Sequence, residues 1–151
     1  MTDSGPTFQT SVLKPDADYL APYGSEIRLL PTMQGGGLCH CTLPVGKTSS
    51  PVAHHHVEEI WYVLEGQGEV WCKGEGAEDT ACVSGGTSLT IPPRTAFQFR
   101  NTGARALCIL IVTMPPWPGP QEAAKVAGKW PASASRIEEV AAKNRSGREE
   151  Q

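Results

Sequence analysis

The stretch EEIWYVLEGQGEV, residues 58–70, decides the fold of this chain. Residues 59–66 are rich in β-branched and aromatic side chains, which fit the pleated surface of a strand. After the glycine at position 66, residues 68–73 (GEVWCK) alternate apolar and polar side chains. We expect this second strand to pair with residues 79–84 (DTACVS) across a glycine-containing turn. The pattern therefore indicates short neighbouring strands.

Further short apolar runs lie on both sides of this stretch, with Gly, Pro, Asn and Ser between them as turn residues. They occupy residues 25–30, 38–43, 52–56, 87–93, 96–101 and 105–114. About eight or nine short strands at regular spacing are typical of a β-sandwich or β-barrel. We therefore expect an all-β fold.

Composition limits the possible classes of protein. The chain has 151 residues, enough for one domain, with 16 Gly, 13 Pro and a net charge of −3. Mixed charges of this kind give no electrostatic case for a nucleic-acid partner. No apolar run approaches the roughly 20 residues of a membrane span, and the first ten residues do not resemble a secretory signal. We expect a cytoplasmic protein with neither a nucleic-acid nor a membrane partner.

Changes in composition divide the chain into three segments. We expect an irregular N-terminal arm over residues 1–24, the strands over 25–114, and a proline-rich extension over 115–151. Residues 114–120 (MPPWPGP) cannot be a central strand because proline lacks the N–H that a ladder needs. We expect Trp117 to fold back over the strands or onto a second subunit.

The end of the extension carries a helix signal. Ser135 is a candidate N-cap, and a glutamate follows three residues later. Apolar residues recur at helical spacing behind it, so the sequence predicts a short helix over residues 135–145 and a frayed tail after it.

The segments EEIWYVLEGQGEV (58–70) and GTSLTIPPRTAFQFRN (86–101) resemble the two sequence motifs of the cupin superfamily. The first motif is Gly, then His-x-His, a Glu three or four residues later, and a Gly after six more. Glu59 and Gly66 have that separation. The second motif is Gly, five residues, Pro-x-Gly, two residues, His, three residues and Asn. Gly86, Pro92 and Asn101 follow its spacing.

The resemblance covers residues 38–114 and is closest to small single-domain (type-2) cupins. It implies a single jelly-roll barrel, also called a double-stranded β-helix. It also implies a divalent metal held by motif side chains, and a homodimer.

Two departures from the motifs concern the metal. Phe97 stands where the second motif has its histidine, and Arg94 stands where it has a glycine. The first motif is out of register at the His54–His56 triplet. The nearest match to the usual spacing puts the second histidine at His55 and the first at Ala53, whereas a turn shorter by one residue makes His54 and His56 the pair.

The shorter turn gives the stronger metal hypothesis. Side chains alternate between the faces of a strand, so His54 and His56 would point the same way and Glu59 could join them. Two imidazoles and one carboxylate suit Fe(II), and also Mn, Ni, Co or Zn. We predict His54, His56 and Glu59 as the ligands, with His40 and Gln98 as further candidates. The alternative is a set of histidines at the barrel mouth that binds no metal.

The remaining candidate residues would form a substrate pocket. Trp61, Phe97 and Phe99 supply bulk that favours a small apolar or aromatic ligand, and Arg94 could bind a carboxylate in bidentate fashion. Three functions stay open at this point. They are a metal-dependent enzyme of oxygenase, isomerase or lyase type acting on a small organic molecule, a metal-free small-molecule-binding protein, and an accessory protein that works through its dimer surface.

Overall fold

A computed structural model describes residues 7–21 and 24–133 of the chain. These residues form strands and one short 3-10 helix, Pro120–Glu122. The strands are β1 (Tyr19–Leu20), β2 (Glu26–Thr32), β3 (Gly37–Leu43), β4 (Val52–His54), β5 (Glu58–Glu65), β6 (Gln67–Gly74), β7 (Ala77–Ser84), β8 (Ser88–Ile91), β9 (Ala96–Asn101), β10 (Leu107–Met114) and β11 (Ala123–Lys125). The predicted helix over 135–145 lies outside the described residues.

Two antiparallel sheets enclose the core. One has six strands in the order β1-β2-β3-β10-β5-β8, and the other has five in the order β11-β4-β9-β6-β7. The sequence-adjacent pair β6 and β7 forms the hairpin that the alternating pattern predicts. Strands β1, β2 and β3 also pair in chain order, whereas β3–β10, β10–β5, β5–β8, β4–β9 and β6–β9 join distant parts of the chain, as in a jelly roll. The prediction of an all-β jelly-roll barrel is confirmed.

Strand β5 shows how the sequence defines the inside of the barrel. Glu59, Trp61 and Val63 are buried, while Ile60 and Tyr62 between them are exposed. This period of two is the periodicity of a strand with one face on a core. Position 59 therefore faces the interior because it shares a face with Trp61 and Val63.

Gly66, the residue that follows β5, has to be a glycine because of its backbone conformation and its close neighbours. Gly66 has φ +93°, a conformation that side chains with a Cβ disfavour. A Cβ at this position would also lie 2.5 Å from the carbonyl oxygen of Ala106 and 2.7 Å from the Cα of Leu107. Only glycine lets β5 turn into β6 this close to β10.

We call the segment after β10, residues 115–133, the C-terminal strap. It begins over the barrel interior, where Trp117 contacts the ring of His54, and later reaches the outer side of β9 at Gln98. Its strand β11 pairs with β4. The buried amide of Gln98 holds it, because Nε2 donates to the carbonyl oxygens of Ser49 and Trp130 at 2.9 and 2.8 Å. The Oε1 atom accepts from the N–H groups of Lys129 and Trp130, each at 3.0 Å. Gln98 therefore binds the strap and is not available as a ligand inside the barrel.

Among the described residues, no helix is long and apolar enough to cross a bilayer. The cytoplasmic location and the boundaries of the three segments stay predictions.

Replacement of Gly66 by alanine should destabilise the fold more than the same change at Gly86. Both glycines have a similar positive φ, but a Cβ at position 86 meets no atom within 4 Å. Gly86→Ala should cost roughly 1 kcal/mol for the backbone conformation alone. Gly66→Ala should cost about 1–3 kcal/mol more, because Ala106 and Leu107 must move. Urea unfolding of both variants measures the difference, and equal costs would contradict the steric argument.

Candidate functional site

Two ionisable side chains, His54 and Glu59, meet at the centre of the barrel. His54 is the last residue of β4 and Glu59 the second residue of β5, so each comes from a different sheet. Only 1% of His54 and 3% of Glu59 is exposed. The imidazole Nδ1 lies 3.6 Å from the carboxylate Oε2. The structure therefore brings these two predicted site residues together.

The third predicted ligand, His56, does not join them. Strand β4 ends at His54, so the alternation that would have turned His56 inward does not continue. The side chain of His56 is 80% exposed, and its Nδ1 lies 3.2 Å from Oε1 of Glu122. His55 is also exposed. Neither register considered from the sequence therefore describes the interior, and the set His54, His56 and Glu59 is not assembled.

Glu122 of the strap determines the shape of this turn. Its carboxylate accepts hydrogen bonds from the N–H of His56 and from the N–H of Val57, the latter at 2.7 Å. Its own carbonyl oxygen accepts the N–H of His55 at 3.0 Å. Three consecutive N–H groups between His54 and Glu59 are thus bound by one residue. This explains why the triplet turns outward after its first histidine.

Apolar residues occupy the inward positions next to His54. Val52 lies two residues before His54 on the same face of β4, and it pairs across the sheet with Phe97. Both are buried in the core. With four residues between the second histidine and the glutamate, the first motif places its histidines at 52 and 54. Val52 was not among the predicted site residues, because the predicted registers did not include the four-residue separation of His54 from Glu59.

The remaining predicted residues lie away from the His54–Glu59 pair or form the core. Trp61 packs edge to face on Phe97 and Phe99, with ring centroids 5.7 and 5.1 Å apart. Arg94 has an exposed side chain, and its backbone N–H donates to the carbonyl oxygen of His54 at 2.7 Å. His40 alternates with the core residue Cys41, and so it points to the outer side of β3.

Burial sets the protonation of the central pair. It raises the pKa of Glu59 to about 7, although the Nε1–H of Trp61, which donates to Oε1 at 2.7 Å, acts in the opposite direction. Burial also lowers the pKa of His54 to about 4. Within residues 7–21 and 24–133, neither ring nitrogen of His54 has a hydrogen-bond partner, and the ring contacts Phe97 and Trp117 edge to face at 5.1 and 5.0 Å. His54 is therefore neutral at pH 7. The carboxyl group of Glu59 beside it is close to the midpoint of its titration at this pH.

A cavity of about 60 Å³ opens beside Glu59. Its walls come from β1, β2, β3, β5 and β10 and from the strap. They are Tyr19, Ala21, Ile27, Leu29, Thr32, Gly37, Leu38, Cys39, Glu59, Ile111, Thr113 and Trp117. An apolar cavity of roughly 150 Å³ holds one benzene molecule, so this one accepts only a few non-hydrogen atoms. The prediction that Trp117 folds back over the barrel agrees with its place in this wall.

Comparison with known proteins identifies the family. A family model described as a cupin domain matches residues 39–113. A relative from Methanocaldococcus jannaschii, named "Uncharacterized protein MJ1618", is 34% identical over 115 residues, which cover 70% of this chain and 89% of the relative. The chain belongs to the cupin family. The matched region ends at residue 113, so it includes His54 and Glu59 but not Glu122.

Solved structures agree on the cupin fold. A variant of Streptomyces PAC13 with uridine has a TM-score of 0.61 at 13% identity, covering 81% of this chain and 92% of that one. KdgF from Halomonas sp. has a TM-score of 0.57 at 19% identity, and the match covers 70% of this chain and 94% of KdgF. At these identities the likeness concerns the fold alone.

The metal that the cupin resemblance implies does not fit the residues of this barrel. All four histidines of the chain are among the described residues, and only His54 faces the interior site beside Glu59. Within residues 7–21 and 24–133, no group of three or more His, Cys, Asp or Glu side chains could hold a metal ion. Tight protein sites use three or four protein ligands. Val52 and Phe97 stand where the motifs would supply two more.

Replacement of Glu122 by glutamine should lower the free energy of unfolding at pH 7 by about 2 kcal/mol. Burial alone would raise the pKa of Glu122, but the hydrogen bonds from His56 and Val57 outweigh it and lower the pKa from 4.5 to about 2. Because the folded-state pKa is depressed, this stabilisation is present at neutral pH and is lost as the pH falls from about 4.5 toward 2.

The measurement is urea unfolding of the wild type and Glu122→Gln at several pH values, with the exposed Glu75→Gln as a control. The difference in free energy of unfolding between wild type and Glu122→Gln should become smaller as the pH is lowered. Glu75→Gln should have the same free energy of unfolding as the wild type. A difference between wild type and Glu122→Gln that does not change with pH would contradict the assigned role of the carboxylate.

Proposed function

We propose that this cupin binds a small organic molecule in the cavity beside Glu59, without a tightly held metal ion. The observation that carries the proposal is the Val52–Phe97 pair at the inward positions. With apolar side chains at these two positions, the interior keeps the imidazole of His54 and the carboxylate of Glu59, and the cavity wall adds the hydroxyl group of Thr113. Pockets that are mostly apolar with a few placed polar groups are typical of small-molecule sites.

The central pair also gives the site a capacity for proton transfer. A neutral imidazole and a carboxyl group with a pKa of about 7 lie 3.6 Å apart in an interior shielded from water. Groups with pKa values near the operating pH are effective general acids and bases. Whether the bound molecule reacts depends on the group that it presents to the carboxyl group of Glu59, so the proposal commits to binding. The homodimer implied by the resemblance stays a prediction.

Purified protein without a histidine tag should retain less than about 0.1 metal ion per chain after incubation with Fe(II), Mn(II), Ni(II), Co(II) or Zn(II) and desalting. Two protein ligands are too few to hold an ion through gel filtration. Elemental analysis measures the content, with His54→Ala as the interior variant and His55→Ala as the exposed control. About one ion per chain in the wild type and in His55→Ala, lost in His54→Ala, would contradict a metal-free site.

Filling the cavity should abolish ligand binding. Cys39 lines the cavity, whereas Cys108 lies on the outer side of the same sheet. A ligand that raises the melting temperature of the wild type should do so in Cys108→Leu and not in Cys39→Leu, because leucine at position 39 occupies the space. Differential scanning fluorimetry against a set of small molecules measures this. An equal rise in both variants would place the ligand elsewhere.

A further inference from the structure

The carboxylate of Glu59 has no cationic partner within the described residues. Ion pairs between side chains of this part of the chain involve other carboxylates, and the neighbour of Glu59 is the imidazole of His54. That imidazole is neutral at pH 7, and the hydrogen bond from Trp61 carries no full charge. A buried carboxylate is unfavourable unless something pairs with it. The empty space next to Glu59 is where a partner can be placed.

The walls of that space suit an organic cation. Ile27 and Ile111 supply an apolar surface, and Tyr19 and Trp117 supply aromatic rings. Aromatic faces attract cations, and the attraction is larger when both are removed from water. Among the described residues, no lysine or arginine lines the cavity, so its described wall does not repel a positive charge. Thr113 adds a hydroxyl group that can accept a second hydrogen bond.

The geometry points to a small organic ammonium ion as the ligand, with its N–H groups donating to Glu59 and its carbon atoms against Ile27, Ile111 and Trp117. This rests on the proposed function and specifies its ligand class. The cavity volume of about 60 Å³ sets the size at about three non-hydrogen atoms. An anion would face the Glu59 carboxylate, and a neutral alcohol would leave its charge uncompensated.

Three probes of similar size separate the charge of the ligand from its shape. Ethylammonium, ethanol and acetate are titrated into the wild-type full-length chain near pH 8, where Glu59 is largely ionised. Saturation-transfer NMR detects binding, and the indole ¹⁵N–H signal of Trp61, which is bonded to Glu59, reports the location. A ligand of this size reaches a Kd on the order of 1 mM at best. We expect ethylammonium to bind at least about tenfold more tightly than ethanol, and acetate not to bind.

Variants assign the effect to Glu59. Glu59→Gln keeps an acceptor for Trp61 but removes the charge, and ethylammonium binding should fall by at least about tenfold. Glu58→Gln is the matched control, because Glu58 is the exposed neighbour on the same strand. A two-dimensional NMR spectrum of each variant establishes that it is folded.

The outcomes distinguish the inference from the proposed function. If ethanol binds as tightly as ethylammonium or more tightly, and this binding is lost in Cys39→Leu, the cation inference is overturned. The proposed binding of a small molecule in the cavity would still stand. Ethylammonium binding that persists in folded Glu59→Gln also overturns the inference. If no small molecule in this series or in the wider screen binds in a Cys39-sensitive way, both the proposed function and the inference fail.

Discussion

The hydrogen bonds to Glu122 decide which histidine faces the interior. One carboxylate and one carbonyl group of the strap bind the N–H groups of His55, His56 and Val57, and so the chain turns outward immediately after His54. The segment that supplies Glu122 lies beyond the region matched by the cupin family model. A segment outside the matched region therefore fixes the outward turn after His54, and it also contributes Trp117 to the cavity wall.

The interior left by this arrangement holds one pair of ionisable groups at its centre. Glu59 and His54 face each other among Phe97, Trp61 and Trp117, and burial favours the neutral form of each. In a medium of low polarity a single carboxylate attracts a donor or a cation more strongly than it would in water. Val52 and Phe97 occupy two motif positions with apolar side chains, and the proposed small-molecule site rests on that.

The sequence predicted the fold better than the site. Periodicity of two around residues 59–66, together with turn residues, was enough for an all-β barrel, because it depends on local patterning. The orientation of His56 depends on Glu122, which is 66 residues away along the chain, and no local pattern contains that contact. The partners of Gln98 are likewise distant backbone groups, those of Ser49, Lys129 and Trp130, which no local pattern contains. Val52 could have been found by testing both motif spacings.

The most direct test of a metal-free barrel is a crystal structure of the protein grown with excess Co(II), with data collected at the cobalt absorption edge. The account predicts no anomalous difference peak between His54 and Glu59, and cobalt only at exposed groups such as His55 or His56. A strong peak within about 2.0–2.2 Å of both the His54 imidazole and the Glu59 carboxylate would contradict it.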